Sequence, residues 1–231
     1  MKKKTRIIVL TGAGMSAESG IPTFRDSNGL WESYKIEEVA TPQAWKVNPD
    51  LVQEFYNMRR KQIMQTHPNK AHIFLAKLEE RFDVEIITQN IDDLHERAGS
   101  TSVMHLHGEI MLAKSSGPNP EKKYYPVKNG RIEMNEWCDD GFQLRPHVVW
   151  FGEEVPLLSK AGELVRQADI FIVIGTSLQV YPAAQLAYEA HQAHLKIFID
   201  PNASQITSDN SFVRISSSAV EAIPALENLL Y

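Results

Sequence analysis

Several short polar clusters in this sequence carry residue types that handle a nucleotide and a proton. Gly12-Ala13-Gly14-Met15-Ser16-Ala17 has the G-x-G-x-x-A spacing of a dinucleotide-binding turn. Glycines there let a backbone turn tightly and approach a pyrophosphate, and amides at the start of a following helix complement its charge. The same spacing also describes an ordinary strand-to-helix turn. Gln89-Asn90-Ile91-Asp92 sets polar side chains after an apolar run, where they can orient a ribose and a carboxamide. Asn90 can equally cap a helix that Gly99 closes. His107 titrates near neutrality and suits proton abstraction, although a packed or exposed histidine reads the same way. Gly175-Thr176-Ser177, with Ser16, offers groups for phosphate or ribose. Tyr56 and Arg59, at i and i+3 of a helical pattern, present a phenol and a guanidinium on one face, a donor set that fits a carboxylate. With Arg60 and Lys61 beside them, they also read as a solvated basic stripe.

The elements that must position these groups alternate. Short β-branched runs at 6–10, 84–88, 170–174 and 196–199, with a weaker one at 212–216, read as buried parallel strands. Helical patterns cover 51–65, 69–81, 157–168, 183–194 and 219–229. Alternation of this kind implies an α/β fold with a doubly wound, Rossmann-type parallel sheet. The stretches 22–41 and 108–146, rich in Gly, Pro, Asn and charge, are expected to form loops and a small inserted lobe. The chain is then a single catalytic domain over 1–231, with a Rossmann-like part at about 1–30, 68–107 and 146–231 and the lobe at about 31–67 and 108–145.

With 231 residues, 43% of them hydrophobic, the chain can bury a sizeable core. A net charge of −5 argues against a general nucleic-acid or anionic-membrane binder. The basic start is followed by only four apolar residues, Ile7 to Leu10, too few for a secretory signal, and no run suggests a membrane span. A soluble, cytoplasmic chain, acting as a monomer, is expected. Cys138 is the only cysteine, so no intrachain disulfide and no cysteine zinc cluster can form.

The segment from Gly12 to Arg25 resembles the opening signature of the sirtuins. Thr88 to His95 is similar to that family's nicotinamide-pocket motif, Leu106-His107-Gly108-Glu109 to its catalytic motif, and Arg145 to Glu153 and Gly175-Thr176-Ser177 to later signatures in the same order. The resemblance spans nearly the whole chain. It implies a NAD-dependent protein-lysine deacylase that consumes NAD and acts on acylated-lysine proteins, yielding nicotinamide and O-acyl-ADP-ribose. His107 would be the general base that deprotonates a ribose hydroxyl. Asn90 would position the nicotinamide ribose, while Asp92 and the Ile91 backbone hold the carboxamide. Gly12, Ala13, Gly14, Ser16, Ala17, Gly20, Ile21, Pro22, Phe24, Arg25, Gln89, Gly175, Thr176 and Ser177 would complete the NAD site, with Phe24 on a closing loop. Adenosine contacts are implied at Asp200 and Asn202, where the family usually has Asn and Glu. Val148-Val149-Trp150-Phe151-Gly152, apolar and extended in character, would clamp the peptide by strand addition; the same residues also read as a buried strand serving the core.

Two departures refine the expectation. The family's two C-x-x-C pairs would fall at Ser115, Pro118, Trp137 and Asp140, none of them cysteine, so no zinc is expected. Packing by Tyr124, Tyr125, Val127, Ile132 and Trp137 would then hold the lobe. Tyr56 and Arg59 resemble the Tyr-x-x-Arg motif of the sirtuins that remove succinyl and malonyl groups, and Ala40 matches the small residue that widens their pocket, with deacetylation retained. The rival readings are a mono-ADP-ribosyltransferase or NAD glycohydrolase on the same fold, and a non-catalytic NAD-responsive binding module.

Overall fold

The computed structural model describes residues 4–23, 34–206 and 209–231. Its larger sheet has six parallel strands: β1 (Arg6–Thr11), β2 (Asp83–Thr88), β3 (Val103–His105), β7 (Ile170–Ile174), β8 (Leu195–Ile199) and β9 (Phe212–Ile215), in the order β3-β2-β1-β7-β8-β9. These strands are apolar without alternation because both faces are covered. Ile7, Val9, Ile86, Ile172 and Ile197 point to one side, against α5 (Lys70–Leu78) and α9 (Ile223–Leu230). Ile8, Leu10, Ile87, Phe171, Val173 and Phe198 point to the other, against α7 (Leu158–Arg166) and the 3-10 segment Ala183–Tyr188. The chain winds from β1 outward through β2 to β3, then returns to the centre at β7 and winds the other way. The order therefore reverses between β1 and β7, and the crevice beyond their carboxyl ends is where open α/β sheets bind ligands.

The second sheet is antiparallel, in the order β5-β4-β6: β4 (Gly108–Ser115), β5 (Tyr124–Pro126) and β6 (Leu144–Val148). Against it lies a helical group of α2 (Ile36–Val39), α3 (Pro42–Val47) and the long α4 (Pro49–Gln65). The remaining helical turns are α1 (Gly14–Ala17), α6 (Leu94–Arg97) and α8 (Ala203–Ile206).

Several elements differ from the sequence expectation. Part of the span read as loop holds α2 and, next to it, α3, whose N-cap Thr41 accepts the Ala44 amide ahead of Pro42. The stretch 108–146 holds β4, β5 and the start of β6 among its loops; β4 escapes pattern reading because this half-covered sheet gives no continuous apolar run. The edge strand β3 is only three residues long. At 183–194, good helix formers make only a 3-10 segment over Ala183–Tyr188, because Ala183, Ala184 and Ala187 press flat against the sheet and tertiary fit overrides propensity.

Candidate active site

The loops after β1 and β7 meet in contact. The Gly12 amide donates to the Ile174 carbonyl at 3.0 Å and the Gly14 amide to the Gly175 carbonyl at 2.8 Å. A Cβ on Gly12 would fall 2.7 Å from Thr176 Cβ, and one on Gly14 2.8 Å from Gly175 Cα. Close packing of two loops thus requires glycine at 12 and 14, where the sequence reading invoked close approach to a pyrophosphate. The helix that was to offer free amides is a single short turn, α1, and Met15 and Ser16 donate back to Gly12 and Ala13. Gly20, at φ +92°, follows that turn; Ile21 is buried beside Ala40 and Ile91, and Pro22 is half-buried. Phe24 and Arg25 lie outside the described residues.

Across the crevice, the segment after β2 supplies the polar floor. Asn90 does not cap a helix: its Nδ2 donates to the Gly12 carbonyl and to Ser16 Oγ, each at 3.1 Å. Asp92, one residue ahead of the N-cap Asp93, accepts the Leu94 amide on Oδ1 at 3.2 Å while Oδ2 accepts Ser16 Oγ–H at 3.0 Å. Asn90, Ser16 and Asp92 therefore form one continuous buried network linking the loops after β1 and β2. Burial raises the Asp92 carboxyl, opposed by its two hydrogen bonds and the His105 charge. Gln89 donates to Thr176 Oγ1 at 3.2 Å, so the loop after β7 is joined to the same floor. Ser177 is half-buried beside it.

His107 occupies the two-residue link between β3 and β4. Its Nδ1 lies 3.0 Å from the Gln89 carbonyl, an acceptor only, so Nδ1 carries the proton and Nε2 holds the free lone pair. Burial lowers its pKa, against the pull of that carbonyl, so the neutral, proton-accepting form is favoured. From the other side the Val149 amide donates to the His107 carbonyl at 2.9 Å. Gly108 follows at φ +83°, where a side chain would drive into the His147 carbonyl of β6. His107 is thus held from both sheets.

Beside this floor, Ala40, Tyr56, Ile91, Val148 and Trp150 belong to one buried apolar cluster. Strand β6 stops at Val148, and Phe151 and Gly152 form an exposed turn with Gly152 at φ +90°, so 148–152 is only partly extended. The Val149 and Phe151 amides are taken by the His107 and Ala40 carbonyls. Tyr56 is fully buried; desolvation pushes its phenol up to about 12, with Arg59 pulling the other way, so it stays a donor. Arg59 is half-buried; burial lowers its pKa, and the Tyr56 and Asp92 charges oppose this. The solvated-stripe reading fails at Arg60, which is completely buried and donates to the Ile110 carbonyl at 2.6 Å and to Asn57 Oδ1 at 2.7 Å. Asp200 and Asn202 stand beyond β8, where the Asp200 carboxylate accepts the Asn202 amide at 2.8 Å.

Sequence reasoning gave no role to Arg145, buried with its guanidinium 3.8 Å over the Trp150 ring and bonded to Glu153 at 2.6 Å. It braces the turn at 150–153. Nor did it find Asn69, which caps α5 and donates to the Met15 carbonyl at 2.8 Å; an Asn before a helical run was the available signal.

Residues 12–182 match the Sir2 family model, well over half of the chain. The chain is a member of the Sir2 family. Relatives of this sirtuin include a "NAD-dependent protein deacylase" of Helicobacter pylori, 51% identical over 95% of this chain and 95% of that protein, and one of Bacteroides thetaiotaomicron bearing the same name, 47% identical over 97% of each. Among solved structures, a mutant Sir2 homologue in complex with ADP-ribose superposes with a TM-score of 0.87 at 39% identity, covering 97% of this chain and 91% of that one. A Sir2 homologue in complex with NAD gives 0.86 at 39% identity, covering 98% and 89%.

At the positions where the family's zinc cysteines would fall, this sirtuin's lobe has other bonds. Cys138 Sγ donates to Ser115 Oγ at 3.4 Å, Lys122 pairs with Asp140 at 3.1 Å, and Lys123 pairs with Asp139 at 2.6 Å. Trp137 is 57% exposed and takes no part in the small core, which is built from Ala113, Ile132, Cys138 and Leu144 with Tyr125 and Val127. Tyr124 instead stacks on His147, ring centroids 3.9 Å apart. Ser115, Pro118, Trp137 and Asp140 offer neither thiolate nor imidazole and so do not fit a structural zinc; among the described residues, no group of three or more His, Cys, Asp or Glu is placed to hold a metal ion. Among them also, no helix is long and apolar enough to cross a membrane.

Proposed function

We infer that this chain is a NAD-dependent protein-lysine deacylase and propose that it removes succinyl and malonyl groups, and acetyl groups as well, with His107 as general base. Family membership, and relatives at 47–51% identity named as deacylases, support the activity. The observation that supports the reading of the site is the tautomer of His107, whose Nδ1 is committed to the Gln89 carbonyl after β2 and whose Nε2 keeps its lone pair. NAD, when bound, supplies a ribose carbon activated by a departing nicotinamide. His107 Nε2 accepts the proton of a ribose hydroxyl. Asn90, Ser16 and Asp92 present their buried polar atoms toward ribose and carboxamide, with the Ile91 backbone beside them. Ala13, Ala17, Gly175, Thr176 and Ser177 line the phosphate side, with Asp200 and Asn202 toward the adenosine.

The acyl end is read from Ala40, Tyr56 and Arg59. A buried phenol that stays protonated and a cationic guanidinium sit beside a small side chain, so a distal carboxylate would meet donors where an acetyl group offers none. We also propose that all of 1–231 acts as one catalytic unit and that it carries no structural zinc. Incubating acetyl-, malonyl- and succinyl-lysine peptides with and without NAD, then weighing the products, tests the function: O-acyl-ADP-ribose should form only with NAD. Plain ADP-ribose without peptide deacylation would favour a glycohydrolase. Elemental analysis of protein purified without chelator tests the metal, and one tightly held zinc per chain would defeat that part.

A further inference from the structure

His105, two residues before the base, lies buried between two groups that can only accept. Its Nδ1 is 3.0 Å from the Asn90 carbonyl oxygen and its Nε2 2.8 Å from Glu96 Oε1. A neutral imidazole has one N–H and would turn a lone pair toward one of these acceptors; the imidazolium satisfies both. The charged groups facing the ring are Glu96 from α6, Glu109 from β4 and Asp92 from the floor, with the histidines His95 and His147. Burial works against the cation, but the hydrogen bond and charge of Glu96 outweigh it, aided by the Asn90 carbonyl and Glu109, and the pKa is raised. Burial pushes His95 and His147 down, so neither competes as a cation.

A second observation gives this ion a task. Three successive carbonyls accept from three successive residues: Thr88 from the Leu106 amide at 2.9 Å, Gln89 from His107 Nδ1 at 3.0 Å, and Asn90 from His105 Nδ1 at 3.0 Å. His105 and His107 thus hold adjacent peptide units of the segment whose side chains form the polar floor. We propose that His105, kept as an imidazolium by Glu96, is a positioning residue that fixes the Asn90 peptide and, through it, the side-chain amide spanning Gly12 and Ser16. The proposal rests on the reading of that floor as the NAD site. Neither His105 nor Glu96 is assigned contact with substrate.

His105→Leu removes the donor and leaves the Asn90 carbonyl unpartnered, so the KM for NAD should rise about tenfold or more while kcat falls less. Glu96→Gln can donate its amide to a neutral ring and keep both hydrogen bonds, so its KM should rise clearly less, a rescue that general damage to the fold would not produce. Nitrogen-15 NMR of the wild-type protein should find two N–H protons on His105 above the ordinary histidine range, and one in Glu96→Gln. A wild-type His105 carrying a single N–H at neutral pH would overturn the proposal, as would an unchanged KM for NAD in His105→Leu. Should His105→Leu not fold, the NMR arms still decide. Failure of the wild-type protein to bind NAD would instead sink the NAD-site reading, while the ring's protonation is read independently.

Discussion

At the scale of single residues, the chemistry turns on which nitrogen of His107 is free. Its Nδ1 is committed to the Gln89 carbonyl and burial favours the neutral ring, so the base form should persist into mildly acid solution. The sign is direct: a lowered pKa moves the acid limb of kcat/KM below the ordinary value of about 6.5. His107→Ala should leave NAD binding largely intact and lower deacylation by about two to four decades; near-normal turnover would assign the base elsewhere. Arg59→Met should lower succinyl-lysine turnover while sparing acetyl-lysine, changing the ratio of their kcat/KM values roughly tenfold or more. Tyr56→Phe should act the same way, less strongly. An unchanged ratio in both variants would refute the acidic-acyl reading. Tyr56 and Arg59 could be found in sequence because spacing alone puts i and i+3 on one face. His105 could not, since its meaning lies in two acceptors, Asn90 and Glu96, that only the fold brings to it.

At the scale of elements, α4 does more than carry Tyr56 and Arg59. Gln53, Asn57 and Arg60, at i, i+4 and i+7, make a buried polar stripe toward the small sheet. Gln53 Nε2 donates to the Ile132 carbonyl at 3.1 Å, and Asn57 pairs with both the amide and the carbonyl of Ile132, each at 3.0 Å. This stripe ties α4 to the lobe by hydrogen bonds. Asn57→Ala would strand the Ile132 amide and one Arg60 N–H together, while Gln53 keeps the Ile132 carbonyl, a loss of about 2 to 4 kcal/mol from two unmade buried bonds, visible as a lower denaturation midpoint. A midpoint within experimental error of wild type would mean the stripe is incidental. The strands of the large sheet, the three-residue edge strand β3 apart, were legible because burial on both faces writes a continuous apolar run; this stripe was not, because buried Gln, Asn and Arg look in sequence like a solvated face.

At the scale of the whole molecule, His72 and His95 sit against each other behind the polar floor, ring centroids 4.8 Å apart and planes tilted by 60°. Burial takes His72 from the ordinary 6.5 to about 4 and pushes His95 well down too, both neutral in the fold. The unfolded chain binds protons there that the folded one refuses, so stability is present above about 6.5 and lost as pH falls toward 4. His105, whose folded pKa is raised, opposes this in sign, but it stands against four lowered histidines, since burial also lowers His107 and His147. The thermal midpoint should therefore fall across that window, and His72→Gln should flatten the fall. A midpoint flat from pH 6.5 to 4 would argue that one ring is charged in the fold. None of this was legible from composition, since eight histidines in a chain say nothing about which are starved of water.

The two sheets are joined at Leu106-His107, between the end of β3 and the start of β4, and that brevity governs where the chain can change length. One residue inserted between His105 and Gly108 would turn the imidazole to the opposite face and break the register of Leu106 on Thr88. The far end of the same lobe obeys no such arithmetic. From Gly117 to Asn119 the chain is a surface turn, distant along β4 from the base, and a longer or shorter tip alters neither strand register nor the Gln89 contact. Grafts and deletions should therefore be tolerated at that tip and forbidden at the link, so the lobe's outer end can change how it holds itself together without the Gln89–His107 contact registering the change.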